Sequence, residues 1–571
     1  MENRDQDSVM SVEGLSLDFK LRKGIFHAVR DVSFQIRRGQ TLCLVGESGS
    51  GKSVTARSLM QIVDSPGRIA QGRITLRADG REIDITALDP KGKEVRKLRG
   101  AKIGLIFQEP MSALSPFHTI GNQIDEVTLI HTDLDAKAAR QRTLELLRQV
   151  EIANPEQMAE RYAFEYSGGM RQRVCIAMAL ACNPDVLIAD EPTTALDVTT
   201  QAEILDLVKR LQTERGMAML LITHDMGIVA EVADEVAVMR YGRIVEHGSV
   251  DKIFHAPEHP YTRQLLDATL KLEQNARPAT EAAEVAAPDL KPIISVRNLA
   301  KHYGGGRKLL GKDAPAIRAV DDVSLDLMPG ENLGIVGESG SGKTTLGRLI
   351  MRIIDPTAGT ILYRQKDGSE VDVAALDKAQ LRAYHAEVRM IFQDPFASLN
   401  PRMTVKQIVG DPLYVNKLAG GRALEEKVAE LLDMVGLEPS MMDRYPHAFS
   451  GGQRQRIGIA RALALNPRVI IADEATSALD VSIRSQILDL LLDVQRRLGL
   501  SFIFISHDIS VVRYFCDRVA VMHRGKVVEQ GEAARICVAP EHPYSQALIS
   551  AVPNPDPRNK RMLQRVRLNA S

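Results

Sequence analysis

No apolar run in this chain approaches the 18 or more residues that cross a bilayer, and the opening stretch, MENRDQDSVM, holds no apolar segment of the kind found in secretory leaders. The expectation is a soluble chain that is not exported. Cysteine is scarce: Cys43, Cys175, Cys182, Cys516 and Cys537 are too few and too scattered for a disulfide framework, and none forms a CxxC pair. A reducing, cytosolic setting fits that usage. Cys175 and Cys182 share a face of a predicted helix, but no histidine stands at ligand spacing, so both are expected to be buried small hydrophobes. Nor is there an excess of either charge, with Lys+Arg 73 against Asp+Glu 73. Such a balance leaves no global electrostatic footprint for nucleic acid or an anionic bilayer. What is present is an ordinary globular composition, 44% hydrophobic and 26% charged, which excludes disorder and collagen-like repeats. At 571 residues the chain is long enough for several domains.

Internal repetition sets the number. The string GESGSGK occurs at 46–52 and again at 337–343, an offset of 291. Phe107-Gln108 recurs as Phe392-Gln393 at an offset of 285, and Ser167-Gly168-Gly169, Asp190-Glu191 and His224-Asp225 recur as Ser450-Gly451-Gly452, Asp473-Glu474 and His507-Asp508, all at 283. The unit is half the chain, so it is a duplicated domain and not a short-period solenoid. Residues 271–292, rich in Ala, Glu and Pro, read as a linker between domains at 1–270 and 293–571. As a coil such a segment spans roughly 25 Å, enough to let the halves meet.

Short apolar runs precede the repeated motifs in each half: TLCLVG and NLGIVG, KIGLIFQ and VRMIFQ, DVLIADE and RVIIADE, AMLLITHD and SFIFISHD. Continuous apolar runs of this length alternating with helix-like stretches predict an α/β fold with a mainly parallel sheet. Polar residues stand at the carboxyl end of every run, where open α/β sheets bind ligands.

Gly46-Glu47-Ser48-Gly49-Ser50-Gly51-Lys52-Ser53 and Gly337-Glu338-Ser339-Gly340-Ser341-Gly342-Lys343-Thr344 fit GxxxxGK[ST] after a strand. Glycines let the backbone amides turn toward phosphate oxygens, the lysine reaches the β and γ phosphates, and the hydroxyl of Ser53 or Thr344 binds Mg²⁺. Asp190 and Asp473 end apolar strands, where a carboxylate calls for a cation, and Glu191 and Glu474 beside them are candidate bases for an attacking water. His224 and His507, closing the next run, are candidates for a γ-phosphate contact. Ser-Gly-Gly before a helix offers a hydroxyl and bare amides to an anion, or simply caps the helix; local chemistry does not choose.

Taken in this order, the motifs resemble the nucleotide-binding domain of ABC (ATP-binding cassette) proteins, twice, over nearly the whole chain. The resemblance implies two tandem P-loop (RecA-like) domains, each with a helical signature subdomain. It makes Gln108 and Gln393 the Q-loop residues, touching nucleotide and Mg²⁺, and places Ser167-Gly168-Gly169 and Ser450-Gly451-Gly452 in the signatures. Ala195-Leu196-Asp197 and Ala478-Leu479-Asp480 become the D-loops, and Phe19 and Tyr303 resemble the aromatic that stacks on adenine. Head-to-tail packing in that family implies one ATP site from Lys52, Glu191 and Ser450 and another from Lys343, Glu474 and Ser167. Neither base is replaced, so two competent sites are expected, unequal where Met170 stands in place of the glutamine found at 453.

The tails narrow the family. PEHPYTRQL at 257–265 recurs as PEHPYSQAL at 540–548. This element, with the stretches FQEPMSALSP and FQDPFASLNP, is similar to the ATPases of dipeptide, oligopeptide and nickel importers. The resemblance implies two integral membrane permease subunits and a solute-binding protein as partners, at the cytoplasmic face of a bacterial inner membrane, with peptide as the cargo. Locally HPY reads as a turn and a packed tyrosine. Cys537 stands alone near the tail, so no iron–sulfur site is expected. A soluble tandem ATPase acting on ribosomes or nucleic acid is the alternative, disfavoured by the short linker and the missing zinc cysteines, and an exporter ATPase is disfavoured by the tail.

Overall fold

The structure, a computed structural model, describes residues 7–22, 24–194, 196–274, 291–304, 317–394, 397–477 and 479–567. It divides into two units: Met1–Thr269 with Pro553–Gln564, and Leu270–Val552 with Arg565–Ser571. Most of the sequence-predicted linker, residues 275–290, lies outside the described residues, as do Ala195 and Ala478 of the D-loop stretches.

In the first unit the strands are β1 (Ser8–Leu21), β2 (Gly24–Arg37), β3 (Thr41–Val45), β4 (Gly67–Ala78), β5 (Arg81–Asp84), β6 (Ile103–Ile106), β7 (Val186–Asp190), β8 (Ala218–Thr223), β9 (Glu235–Arg240) and β10 (Arg243–Ser249). Six of them form one sheet in the order β10-β9-β3-β8-β7-β6, parallel except for the β9–β10 hairpin. Every residue of β3, β7 and β8 is buried, which is why these runs lack alternation: both faces of the parallel sheet are covered. All four apolar runs of this half are neighbouring strands of that sheet, as the sequence predicts.

A second sheet, β2-β1-β4-β5, is antiparallel and was not foreseen. Its long strands carry register shifts between Val12 and Leu15 and between Leu15 and Leu17, which break the period-2 alternation that marks a strand. Leu15, Leu17, Val32 and Ile74 from this sheet share one core with Leu44, Ile188 and Ile222 from the parallel sheet.

The second unit repeats the plan with β11 (Ile294–Tyr303), β12 (Ile317–Leu327), β13 (Asn332–Val336), β14 (Ala358–Arg364), β15 (Glu370–Asp372), β16 (Val388–Ile391), β17 (Val469–Asp473), β18 (Ser501–Ile505), β19 (Arg518–His523) and β20 (Lys526–Glu532). The sheets run β12-β11-β14-β15 and β16-β17-β18-β13-β19-β20.

Between β6 and β7 stand the helices Ile120–His131, Ala136–Gln149 and Gly168–Ala179, and between β16 and β17 the helices Val405–Val415, Gly421–Met434 and Gly451–Leu463. In each helical insertion the last helix begins at the Ser-Gly-Gly motif. The second glycine of each motif is fixed by packing: a Cβ on Gly169 would lie 2.6 Å from Thr200 Cγ2, and one on Gly452 would lie 2.5 Å from Ile483 Cγ2. Gly169→Ala and Gly452→Ala are therefore expected to cost about 1–3 kcal/mol each through overpacking, read as a lowered thermal midpoint.

Two segments at the ends of the halves depart from a simple tandem plan. From Leu270 on, the helix Pro260–Gln274 belongs to the second unit, where Lys271 Nζ donates to Asp489 Oδ2 at 2.6 Å. The locally basic stretch from Arg558 to Arg567, whose composition reads as a solvated tail, is instead packed through Gln564. Buried Glu231 accepts from the backbone N–H groups of Asn554, Arg561 and Met562, Arg558 pairs with Asp251 at 2.6 and 2.9 Å, and Met562 is fully buried.

Candidate functional site

Each GESGSGK loop leaves a buried strand and enters a helix, Lys52–Ser58 or Lys343–Ile350. The first glycine holds φ at +151° in both copies, and a Cβ there would lie 2.2 Å from the carbonyl oxygen of Met239 or Met522. Only glycine can make that turn against the neighbouring strand. The lysine is drawn inward: Lys52 and Lys343 are 5% exposed, and their ammonium groups donate to Gly46 O at 2.7 Å and Glu47 O at 3.0 Å, and to Gly337 O at 2.6 Å and Glu338 O at 2.7 Å. Ser48, Gly49, Ser339 and Gly340 are exposed at the loop tips. Ser50 and Ser341 are buried beneath them, and the Ser50 hydroxyl has no hydrogen-bond partner among the described residues.

Ser53 Oγ donates to Asp190 Oδ1 at 2.8 Å, and Thr344 Oγ1 to Asp473 Oδ1 at 3.1 Å. Adjacent ligands of an octahedral Mg²⁺ stand about 2.9 Å apart, so these oxygens are spaced to share one ion. Burial pushes both aspartates up, against the hydrogen bond from Ser53 or Thr344. A bound cation would relieve that penalty. The residues present therefore fit the ion.

Glu191 and Glu474 face a different environment. Burial pushes Glu191 up, but His224, Thr194 and Lys52 outweigh it and hold the carboxyl at about 2. His224 Nδ1 lies 3.2 Å from Glu191 Oε1, while Gln108 Nε2 and Thr194 Oγ1 each donate to Glu191 Oε2 at 2.9 Å. In the second unit, burial likewise pushes Glu474 up, and His507, Lys343 and Gln393 bring it below its ordinary value. His507 Nδ1 lies 3.2 Å from Glu474 Oε1, and Gln393 Nε2 donates to Oε2 at 2.7 Å. The threonine has no true counterpart, because Ser477 Oγ donates to the backbone carbonyl of Glu474 instead. Both glutamates therefore remain carboxylates at neutral pH, as a proton acceptor must.

Both glutamates also hold φ near +46°, a left-handed conformation uncommon outside glycine. Their backbone N–H groups donate to Ile222 O at 3.0 Å and Ile505 O at 2.9 Å on the next strand, which pins the strained turn. Sequence reasoning had no signal for this. Each histidine is anchored by the aspartate next to it in the chain. Asp225 accepts from the N–H groups of Gly227 and Ile228, and Asp508 from Ser510 and Val511, so a capped helix starts directly after each histidine.

Thus the structure brings together Lys, Ser/Thr, Gln, Asp, Glu and His in each unit. The signature serines cap their helices: Ser167 Oγ accepts from Met170 N at 3.3 Å and Ser450 Oγ from Gln453 N at 3.4 Å. Gln453 completes a reciprocal pair by accepting from Ser450 N at 3.0 Å, which Met170 cannot do. Gly168 and Gly451 pack lightly against Leu196 and Leu479. Of the two adenine candidates, Tyr303 is exposed at the end of β11, whereas Phe19 is half-buried at the edge of the core.

The HPY tails, to which sequence chemistry assigns no role, reach the phosphate loops. Glu47 N–H donates to Tyr261 Oη at 3.1 Å, and Glu338 N–H to Tyr544 Oη at 3.0 Å. Each tail is seated on the last hairpin of its unit, where Glu246 accepts from Glu258 N and His259 N, and Glu529 from Glu541 N and His542 N. Burial pushes these two carboxyls up, but the backbone donors and a nearby cation hold both below their ordinary 4.5. Their stabilising contribution is full above that value and is lost as pH falls through the lower folded value. Amide exchange across 258–262 and 541–545, corrected for intrinsic rate, is expected to accelerate ahead of the core strands as pH falls below 4.5 and through the lower folded value.

Residues 29–194 and 320–477 match the family described as ABC transporter, and residues 245–293 and 528–570 match the oligopeptide/dipeptide transporter C-terminal region. This chain belongs to the ABC transporter family. It is 47% identical to the glutathione import ATP-binding protein GsiA of Escherichia coli (strain K12), over 99% of this chain and 92% of that protein, and equally to that of Shigella dysenteriae serotype 1 (strain Sd197). Among solved structures it is similar to cbiO1 from Clostridium perfringens, part of the ABC transporter complex cbiONQ, with 30% identity, a TM-score of 0.38, and coverage of 43% of this chain and 91% of that one. With both family matches present in each half, this ABC protein is a tandem importer ATPase of the dipeptide, oligopeptide and nickel group. No helix among its described residues is long and apolar enough to cross a membrane. Cys175 and Cys537 are buried, with thiols pushed up by burial to about 12, as inert core residues are.

Proposed function

We propose that this ABC ATPase hydrolyses Mg²⁺-ATP at two sites and uses the closure of its halves to drive a small peptide through a pair of separate permease subunits. The observation that carries the reading is the duplicated network in which one glutamate is held as a carboxylate by a histidine and a glutamine, beside an aspartate–hydroxyl pair and a buried lysine. Lys52 and Lys343, with the loop amides, would hold the phosphates. Ser53 with Asp190 and Thr344 with Asp473 would hold Mg²⁺, and Gln108 and Gln393 would add their carbonyl oxygens. The ion supplies charge neutralisation on the phosphates. Glu191 and Glu474 orient a water and take its proton, and His224 and His507 keep those carboxylates in place and charged.

Ser450 is proposed to complete the site of Lys52, and Ser167 that of Lys343, as the family resemblance implies. Phe117, 84% exposed, and Met111, 47% exposed, offer apolar surface beside the Q-loop for a permease contact. Phe396, the counterpart of Met111, lies outside the described residues, and Arg402 stands where the first half has Phe117. Glutathione, the cargo in the relatives' name, gives the substrate class: a short, charged peptide presented by a solute-binding protein. Reconstitution with two permease subunits and a solute-binding protein tests it. ATP-dependent uptake of labelled glutathione or a dipeptide is expected; ATP turnover that no peptide stimulates, with no uptake, would contradict the cargo class.

A further inference from the structure

The tail tyrosine and the phosphate-loop lysine grip opposite ends of one peptide unit. Between Gly46 and Glu47, the carbonyl accepts from Lys52 Nζ at 2.7 Å while the N–H donates to Tyr261 Oη at 3.1 Å. In the other half the Gly337–Glu338 peptide repeats the arrangement, at 2.6 Å to Lys343 and 3.0 Å to Tyr544. This is the peptide whose glycine adopts the φ of +151° that no Cβ would fit, so its orientation is a built feature of the loop.

The tyrosines themselves are fixed. Both are 2% exposed; the Arg240 guanidinium lies 4.5 Å from the Tyr261 ring centre, and the His523 ring lies 4.0 Å from that of Tyr544. Each backbone N–H is held by the preceding histidine, His259 Nδ1 at 3.1 Å and His542 Nδ1 at 3.2 Å. His-Pro-Tyr thereby acquires a chemical purpose: the histidine caps the helix, the proline starts it, and the tyrosine hydroxyl arrives at the loop at a set height.

We infer that Tyr261 and Tyr544 are positioning residues for the phosphate loops, setting through the Gly-Glu peptide where the lysine ammonium rests and so how tightly ATP is held. The inference rests on the reading of both loops as ATP sites. It also makes the tail a lever on the loop: whatever docks on or displaces the tail helix changes nucleotide affinity.

Tyr261→Phe with Tyr544→Phe keeps both rings and removes only the hydroxyls. The ATP concentration for half-maximal turnover of the full chain is expected to rise about five- to tenfold, with kcat kept within about twofold, since the lost interaction serves ground state and transition state alike. In a Lys52→Ala, Lys343→Ala background, binding of a fluorescent ATP analogue should not weaken further when the tyrosines are changed, because the tyrosine acts through the lysine. Wild-type half-saturation with a lowered thermal midpoint would reduce the tyrosines to packing and overturn the inference, and so would an undiminished effect in the lysine-free background. Should the double variant not fold, either single variant gives the same reading at its own site. If the wild-type chain failed to bind ATP, the loop assignment itself would fall; wild-type binding with unaltered Phe variants removes this inference alone.

Discussion

Glu191→Gln is expected to lower ATP turnover at its own site by about 10² to 10⁴, with nucleotide binding retained, and Glu474→Gln to do the same at the other. Glutamine keeps the side chain's shape and its contact with the neighbouring histidine but cannot accept a proton from water. The magnitude follows from the geometry: each glutamate is 15% exposed or less at the side chain, faces a histidine at 3.2 Å and accepts a hydrogen bond from its Q-loop glutamine. Against burial, which pushes it up, His224, Thr194 and Lys52 hold Glu191 at about 2, far below neutral pH, so this carboxyl stays ionised. The two halves are not equivalent in detail. Thr194 supports the first carboxylate, while Ser477 turns to the backbone, so Glu191 is the more strongly depressed. Steady-state phosphate release from each single variant checks the account; if either change left turnover untouched, two competent sites would not exist.

Lys52→Ala and Lys343→Ala should weaken ATP binding at their own sites by about 10- to 150-fold, the worth of one charge-assisted hydrogen bond to a phosphate. The ammonium groups are buried and bound to two carbonyls of their own loops, so removing one deletes a cation held against the loop interior. Isothermal titration with a non-hydrolysable ATP analogue would show two classes of site in each single variant, one unaffected and one weakened.

The candidate site was legible in the sequence because its parts are local. Each motif sits at the end of an apolar strand, and all four runs of a half turned out to be neighbours in one parallel sheet. Spacing alone therefore brought Lys52, Ser53, Gln108, Asp190, Glu191 and His224 into one crevice. The antiparallel sheets were hidden by bulges that scramble alternation in β1 and β11. What joins residues far apart in sequence was hidden too. Tyr261 reaches Glu47 across 214 positions, and Glu231 collects backbone donors from more than 320 positions away. Neither contact leaves a periodic or compositional trace. The left-handed turn at Glu191 and Glu474 escaped for another reason: glutamate carries no preference for it, and only the strand beyond, through Ile222 and Ile505, imposes it.

The most direct test of two complete ATP sites in one chain is a count of bound nucleotide. The Glu191→Gln, Glu474→Gln double variant, loaded with labelled ATP and Mg²⁺ and passed through a desalting column, is expected to retain two ATP per chain, each unhydrolysed. Retention of one ATP per chain, or release of phosphate at the wild-type rate, would contradict the account.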